Sequence, residues 1–306
     1  MLSKIIEYSL SFMIRSSLKN NSGEEFSYVS NRPIESGAPL FIFFHATGFN
    51  GQTYWKLIKG LYSLFKEEIN FMSLDQRGHG HTTAKAIPDE LNSWSPFIED
   101  ALEIVDKIDG PIFCAGHSMG AIVAAKIAKL REEKVKKLVM LEPVLYSPFE
   151  CFKYSFKRRW GLGRNAELVE LASKRRRNFT SREEMIDSYY GRGVFSTWEK
   201  SWITDYVEGG TRKISEQDVE LTCSPEWESR TFKASDMGSW PYLKKLNTPT
   251  LILSGTVEST FTPNARKTIE KLGSNWKMEV FPDATHSLPM ELSETLIDHI
   301  YQFMSK

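Results

Sequence analysis

The sequence predicts an α/β fold: a mostly parallel central sheet with helices on both faces and one helical insertion. Three observations carry that reading. From about residue 26 onward, short apolar runs alternate with helix-period segments, the pattern of strands joined by crossover helices. The alternation stops at Tyr146 and resumes at Pro249. Gly116-His117-Ser118-Met119-Gly120 stands between an apolar run and a helix-forming run, so a strand turns directly into a helix at Ser118. The core is therefore assigned to residues 1–145 and 241–306 and the insertion to 146–240. A chain of 306 residues is long enough for one large domain with such an insertion.

Residues 1–18 are moderately apolar but broken by Glu7, too short and polar to span a membrane, and lack a small-residue cleavage site. They are read as an amphipathic leading helix. Residues 26–30 form an early strand, and the continuous apolar run at 39–44 is what a central parallel strand, buried on both faces, requires. A helix over 52–65, a strand at 69–74, a helix over 96–106, the strand at 111–115, a helix over 121–130 and a strand at 135–141 follow. Beyond Pro143 strand-like runs are few, and short helical patterns accompany Trp160, Trp198, Trp202, Trp227 and Trp240. A strand at 249–255, a helix over 263–272, a strand at 277–281 and a helix over 291–304 complete the core.

With 39 Lys and Arg against 39 Asp and Glu, the formal net charge is zero, which leaves no electrostatic footprint for a nucleic-acid partner. Three cysteines, odd in number and without Cys-x-x-Cys spacing, argue against a disulfide framework and for a reducing, cytoplasmic setting. No run reaches transmembrane length. His79 and His81 have no third ligand at useful spacing, so no metal is expected, and no cofactor.

A strand that turns straight into a helix strains the central residue and admits only small neighbours, which explains the glycines around Ser118. The product is a hydroxyl at a helix N-terminus, where backbone N–H groups stabilise negative charge. Serine is a poor nucleophile at neutral pH and needs a base within hydrogen-bond reach, itself oriented by a carboxylate. Of six histidines, His45, His79 and His81 fall in early loops, His117 in the turn and His299 in the last helix. His286 follows the last strand, at the same carboxyl edge of the sheet as Ser118, where open α/β sheets bind ligands. Ser118 and His286 are the candidate nucleophile and base.

Taken together and in order, His45-Ala46-Thr47-Gly48-Phe49, Asp75-Gln76-Arg77-Gly78-His79-Gly80, Gly116-His117-Ser118-Met119-Gly120 and the late His286 resemble the α/β-hydrolase superfamily over about two-thirds of the chain. The match is to cap-bearing serine hydrolases with a His-Ala-Thr-Gly-Phe loop. The resemblance implies the α/β-hydrolase fold, a helical cap (lid) at 146–240 and a serine-hydrolase mechanism, but no particular substrate. It implies an oxyanion hole built from the backbone N–H groups of Met119 and Thr47, and a structural turn in which Asp75 and Arg77 pair. It places the acid after the strand that follows the cap, where the family's Gly-x-x-Asp reads Gly255-Thr256-Val257-Glu258. Glu258 is the preferred acid. Glu142, at the end of the strand before the cap, where some members carry theirs, is the alternative.

The first half of the cap is basic, with Lys153, Lys157, Arg158, Arg159, Arg164 and the run Lys174-Arg175-Arg176-Arg177. A solvated face balanced by later acids is favoured over attraction of an anionic substrate or peripheral contact with acidic lipid head groups. The cap tryptophans read mainly as core. The expected reaction is hydrolysis of a carboxylic ester of a small to medium, partly apolar substrate through an acyl-enzyme. Hydrolysis of a carbon–carbon bond in a ring-cleavage product is the alternative among enzymes, and a non-catalytic ligand receptor the alternative outside them. Keeping both Ser118 and His286 favours an enzyme. Epoxide hydrolases and dehalogenases use an aspartate where Ser118 stands. The oligomeric state is not written in any motif.

Overall fold

Residues 13–66, 68–159, 166–235 and 238–306 are described by a computed structural model. Six strands precede the insertion: β1 (Ile14–Lys19), β2 (Glu25–Ser30), β3 (Leu40–Phe44), β4 (Asn70–Leu74), β5 (Ile112–His117) and β6 (Val135–Leu141). The insertion carries β7 (Asn178–Phe179), β8 (Thr211–Lys213) and β9 (Val219–Leu221), and the core closes with β10 (Thr250–Gly255) and β11 (Trp276–Phe281). The main sheet has eight strands in the order β1-β2-β4-β3-β5-β6-β10-β11. β1 and β2 run antiparallel to their neighbours, and every other pairing is parallel. This is the mostly parallel α/β sheet, with helices on both faces, expected from the sequence.

Burial follows position in the sheet. β3, β4 and β10 are buried at every residue, as strands covered on both faces must be. On the edge strand β11 exposure alternates, with Lys277 and Glu279 outward. Side chains of β3 divide by parity between two apolar layers. Leu40, Ile42 and Phe44 pack with α2 (Ser95–Asp106) and α3 (Met119–Leu130), while Phe41 and Phe43 pack with α1 (Trp55–Phe65).

The expected leading helix is corrected over its second part, because Ile14–Lys19 is an edge strand paired with β2. Its anchor is a contact across 60 positions of sequence: Arg15 Nη1 donates to Asp75 Oδ2 at 2.7 Å. Residues 1–12, together with Trp160 and Arg164 of the insertion and the side chains of Lys157, Arg158 and Arg159, lie outside the described residues.

Between β6 and β10 run α4 (Pro148–Arg159), α5 (Ala166–Ser173), α6 (Arg182–Tyr189), α7 (Lys200–Gly210), α8 (Pro225–Lys233) and α9 (Trp240–Leu243). Among the described residues no part of 146–240 joins the main sheet. The segment is not purely helical, because β7, β9 and β8 form a separate three-stranded antiparallel sheet. Strands of two or three residues are too short to leave a period-two signature in the sequence. After the insertion come α10 (Pro263–Ile269), α11 (Leu288–Glu291) and α12 (Ser293–Met304), the last packed on α1 through Phe65 and Tyr301.

The expected Asp75–Arg77 pair does not form. Arg77 binds Asp100 and Glu24 instead, and hydrogen bonding to Arg77 holds the Glu24 carboxyl down at about 2. Asp75 is fully buried and accepts from Arg15, from Gly51 N at 2.8 Å and from His81 N at 3.0 Å. Neighbouring residues of one turn thus point to opposite sides and tie down different loops. Asp75→Asn is expected to cost about 3 kcal/mol of unfolding free energy, since it breaks a buried, multiply bonded ion pair. Arg131→Ala, at an exposed pair with Asp106, is expected to cost less than about 1 kcal/mol. Urea unfolding of the two variants checks the contrast.

Candidate active site

Ser118 joins β5 to α3 with φ 57° and ψ −117°, a conformation that non-glycine residues adopt only where surrounding structure enforces it. The enforcement is steric. A Cβ on Gly120 would lie 2.0 Å from Phe44 O, and one on Gly116 would lie 2.2 Å from Gly120 O. The two glycines therefore let α3 start directly against β3 and β5. Ser118 keeps 7% of its surface exposed.

His286 lies on the loop after β11, and its Nε2 is 2.9 Å from Ser118 Oγ. Its Nδ1 is 3.3 Å from Glu142 Oε2 and 3.3 Å from Thr260 Oγ1. Glu142 is fully buried at the end of β6, with φ 42°. Its carboxylate also accepts from Gly255 N at 2.5 Å and from Ser259 Oγ at 3.0 Å. The preference for Glu258 is therefore corrected: the structure brings Glu142, not Glu258, to the histidine. Glu258 is exposed and makes no hydrogen bond among the described residues. The cause lies in the loop after β10. Thr256 N and Val257 N both donate to Ala284 O at 3.0 Å, so the chain turns there and carries Glu258 outward before Ser259 and Thr260 return to Glu142.

The two candidate oxyanion residues meet beside the serine. Thr47 and Met119 are both buried, and the Thr47 hydroxyl donates to Met119 Sδ at 3.5 Å. Three buried histidines frame this loop, and the sequence held no signal for how. His45 Nδ1–H donates to Ala46 O at 2.8 Å while its Nε2 accepts from Gln76 N at 2.9 Å. His79 Nε2 accepts from Gly48 N at 3.1 Å. Tyr54 and His117 form a relay whose directions are all fixed. His286 O can only accept, so His117 Nε2 donates to it at 2.8 Å. His117 Nδ1 must then accept from Tyr54 Oη at 2.7 Å, and Tyr54 Oη in turn accepts from Ala46 N at 3.2 Å. The loop carrying Thr47, the turn carrying Ser118 and the backbone of His286 are thus tied by one chain of hydrogen bonds.

The 146–240 segment grips the same loop. Tyr206 Oη donates to Gly48 O at 3.2 Å, Asn50 Nδ2 donates to Tyr206 O at 2.9 Å, and Phe49 meets Trp198 and Tyr206 edge-on. Trp227 Nε1 donates to Arg77 O and Trp240 Nε1 to Tyr146 O, so both rings are held in place between layers. Every cation of the basic run has a carboxylate: Lys174 with Glu170, Arg175 with Glu228, Arg176 with Glu184 and Arg177 with Glu220. Arg175 turns inward and also donates to the Tyr189 and Tyr206 hydroxyls. Among the described residues no group of three or more His, Cys, Asp or Glu side chains converges to hold a metal, and Cys114, Cys151 and Cys223 are buried without forming a disulfide.

Burial pushes His45 down to about 4 and His79 down to about 3, and it lowers His117 as well. Each is neutral when folded but takes up a proton near pH 6.5 once unfolded. The stability they permit is complete above that pH and falls toward pH 4, by about 1.4 kcal/mol per pH unit per histidine. Calorimetry in buffers of different ionisation enthalpy at about pH 5.5 is expected to register net proton uptake on unfolding; uptake near zero contradicts the neutral assignment. Tyr54→Phe leaves Ala46 N–H and His117 Nδ1 buried and unpaired and is expected to lower stability by about 2–4 kcal/mol in urea.

The Hydrolase_4 family model (serine aminopeptidase, S33) matches residues 40–293, on both sides of the insertion. The chain is 30% identical over 109 residues to (E)-2-((N-methylformamido)methylene)succinate hydrolase of Acinetobacter baylyi, covering 35% of this chain and 38% of that protein. It is 31% identical over 147 residues to epoxide hydrolase 4 of Mus musculus, covering 44% of this chain and 39% of that protein. The chain thus spans about two-fifths of the length of these curated relatives. The crystal structure of E-2-(acetamidomethylene)succinate hydrolase superposes with a TM-score of 0.75 at 17% identity, over 96% of this chain and 100% of that one, a likeness of fold. The chain belongs to the Hydrolase_4 family, serine aminopeptidase S33, within the α/β hydrolases.

Proposed function

We propose that this protein is a serine hydrolase that cleaves a carboxylic ester through an acyl-enzyme on Ser118. The observation that carries the reading is the 2.9 Å approach of His286 Nε2 to Ser118 Oγ, with Glu142 on the far side of the ring. His286 takes the hydroxyl proton as Oγ attacks the ester carbonyl. The backbone N–H groups of Met119 and Thr47 receive the negative charge that develops on the carbonyl oxygen. The imidazolium then gives its proton to the leaving alcohol, and a water activated by the same histidine releases the acid. Glu142 holds the tautomer with hydrogen on Nδ1 and stabilises the imidazolium.

Residues 146–240 serve as the cap in this reading. Phe49, Trp198 and Tyr206 pack against one another where that segment meets the loop carrying Thr47, and the substrate is taken as the small to medium, partly apolar ester expected from the sequence. The paired state of the basic run gives no support to an anionic substrate held by those four residues. A carbon–carbon hydrolase of ring-cleavage products can use the same set, so the assay panel pairs p-nitrophenyl esters of graded chain length with a vinylogous diketone.

Ser118→Ala is expected to lower kcat by about 10⁵ to 10⁶ and to abolish fluorophosphonate labelling, with little change in Tm. Glu142→Gln is expected to lose most activity, because the amide favours the wrong tautomer, whereas Glu258→Gln stays within a few-fold of wild type. Labelling at another residue in Ser118→Ala would falsify the nucleophile assignment. Equal, small effects at the two glutamates would remove Glu142 from the mechanism.

A further inference from the structure

Helix α4 presents a face that nothing in the hydrolytic reading uses. Its inner side is accounted for: Cys151 and Tyr154 are each 9% exposed, and the Glu150 carboxylate accepts from Ser147 N at 2.7 Å, Thr262 Oγ1 at 2.7 Å and Asn264 Nδ2 at 3.2 Å. On the opposite side Phe149, Phe152 and Phe156, three and four residues apart, form one stripe. They are 65%, 71% and 62% exposed. For rings of roughly 150–250 Å² each, that bares on the order of 300–500 Å² of apolar surface, a patch size that in a soluble chain marks an interaction site.

The chemistry around the stripe selects its occupant. Lys153 Nζ lies 4.5 Å from the centroid of the Phe149 ring, at the border of the stripe. The last turn of the helix reads Lys157-Arg158-Arg159. Glu150 is the sole acid in the helix sequence, and its carboxylate is committed inward. Among the described residues of α4 the outward stripe is therefore apolar and bordered by Lys153, and the one acid of the helix is turned away from it. We propose that α4 docks on an anionic phospholipid bilayer, its phenylalanines entering the acyl boundary while Lys153 meets the head-group phosphates. A second copy of the chain fits less well, because apposing two such faces about a two-fold axis brings like charges together. The docking does not depend on the proposed chemistry at Ser118, although α4 starts shortly after the strand end that carries Glu142.

The test is co-sedimentation of the full chain with vesicles of phosphatidylcholine alone or with about a quarter phosphatidylglycerol, at about 0.1 M salt. Binding to the anionic vesicles is expected, weakening as salt rises toward about 1 M. Phe152→Gln/Phe156→Gln keeps good helix formers at exposed positions and is expected to lower partitioning at least about tenfold with Tm unchanged. Lys153→Glu is expected to lower it about fivefold or more on anionic vesicles alone. Wild type that does not partition, or partitioning untouched by the phenylalanine changes, overturns the proposal. Sedimentation velocity without lipid supplies the third arm: a dimer that those changes convert to monomer assigns the face to a second copy and overturns it as well.

Discussion

The centre of this molecule depends on burying the Glu142 carboxylate without leaving it unpaired. A buried carboxylate is tolerated only when hydrogen-bond donors replace the water it has lost. Here they come from two loops more than a hundred residues beyond Glu142: the amide of Gly255 at the end of β10 and the hydroxyl of Ser259 shortly after it, and the ring of His286 on the loop after β11. Satisfying one side chain thus fixes where two loops run, and one of those loops carries the imidazole to Ser118. Arg266 of α10 extends the arrangement by donating to Ser259 Oγ at 3.0 Å and to Gly255 O at 2.6 Å.

A second constraint acts from the other side of the sheet edge. The relay from Ala46 through Tyr54 and His117 to the carbonyl of His286 has no freedom in its donor directions, because it ends on an acceptor. It works only while His117 is neutral, and burial enforces that state. Strain and polar satisfaction are therefore linked. The left-handed backbone at Ser118 and Glu142 is held by packing and by hydrogen bonds that would be lost if either residue relaxed. Ser118 N, for example, donates to Leu141 O, and Glu142 N to Leu253 O.

The insertion and the core are coupled through the loop that carries Thr47, Gly48 and Asn50. Tyr206 binds both the carbonyl of Gly48 and, through its own backbone, the side chain of Asn50, while Arg175 and Glu228 form an ion pair behind it. A basic run that reads in sequence as a solvated stripe is in fact divided: three members pair at the surface, and Arg175 braces the aromatic cluster against the loop.

The sequence by itself determined the succession of core strands along the chain from β2 onward, the crossover helices, the strand-to-helix turn at Ser118 and the histidine after the last strand. These follow from local rules. Burial on both faces demands an unbroken apolar run, as at Leu40–Phe44, and a strand joined tightly to a helix demands glycines at 116 and 120. The tertiary structure alone decided which glutamate reaches His286, that Asp75 and Arg77 part company, that Ile14–Lys19 is a strand, and that His117 works as a linker. Each of these depends on where a side chain points once segments from distant parts of the chain have docked. Glu142 directly follows β6 and Glu258 lies three residues beyond β10, both at the carboxyl edge of the sheet and both with left-handed backbone, and no local sequence rule separates them. What separates them is the Ala284 carbonyl, which captures the two amides before Glu258 and turns it to solvent, while the gap beside His286 is filled from β6.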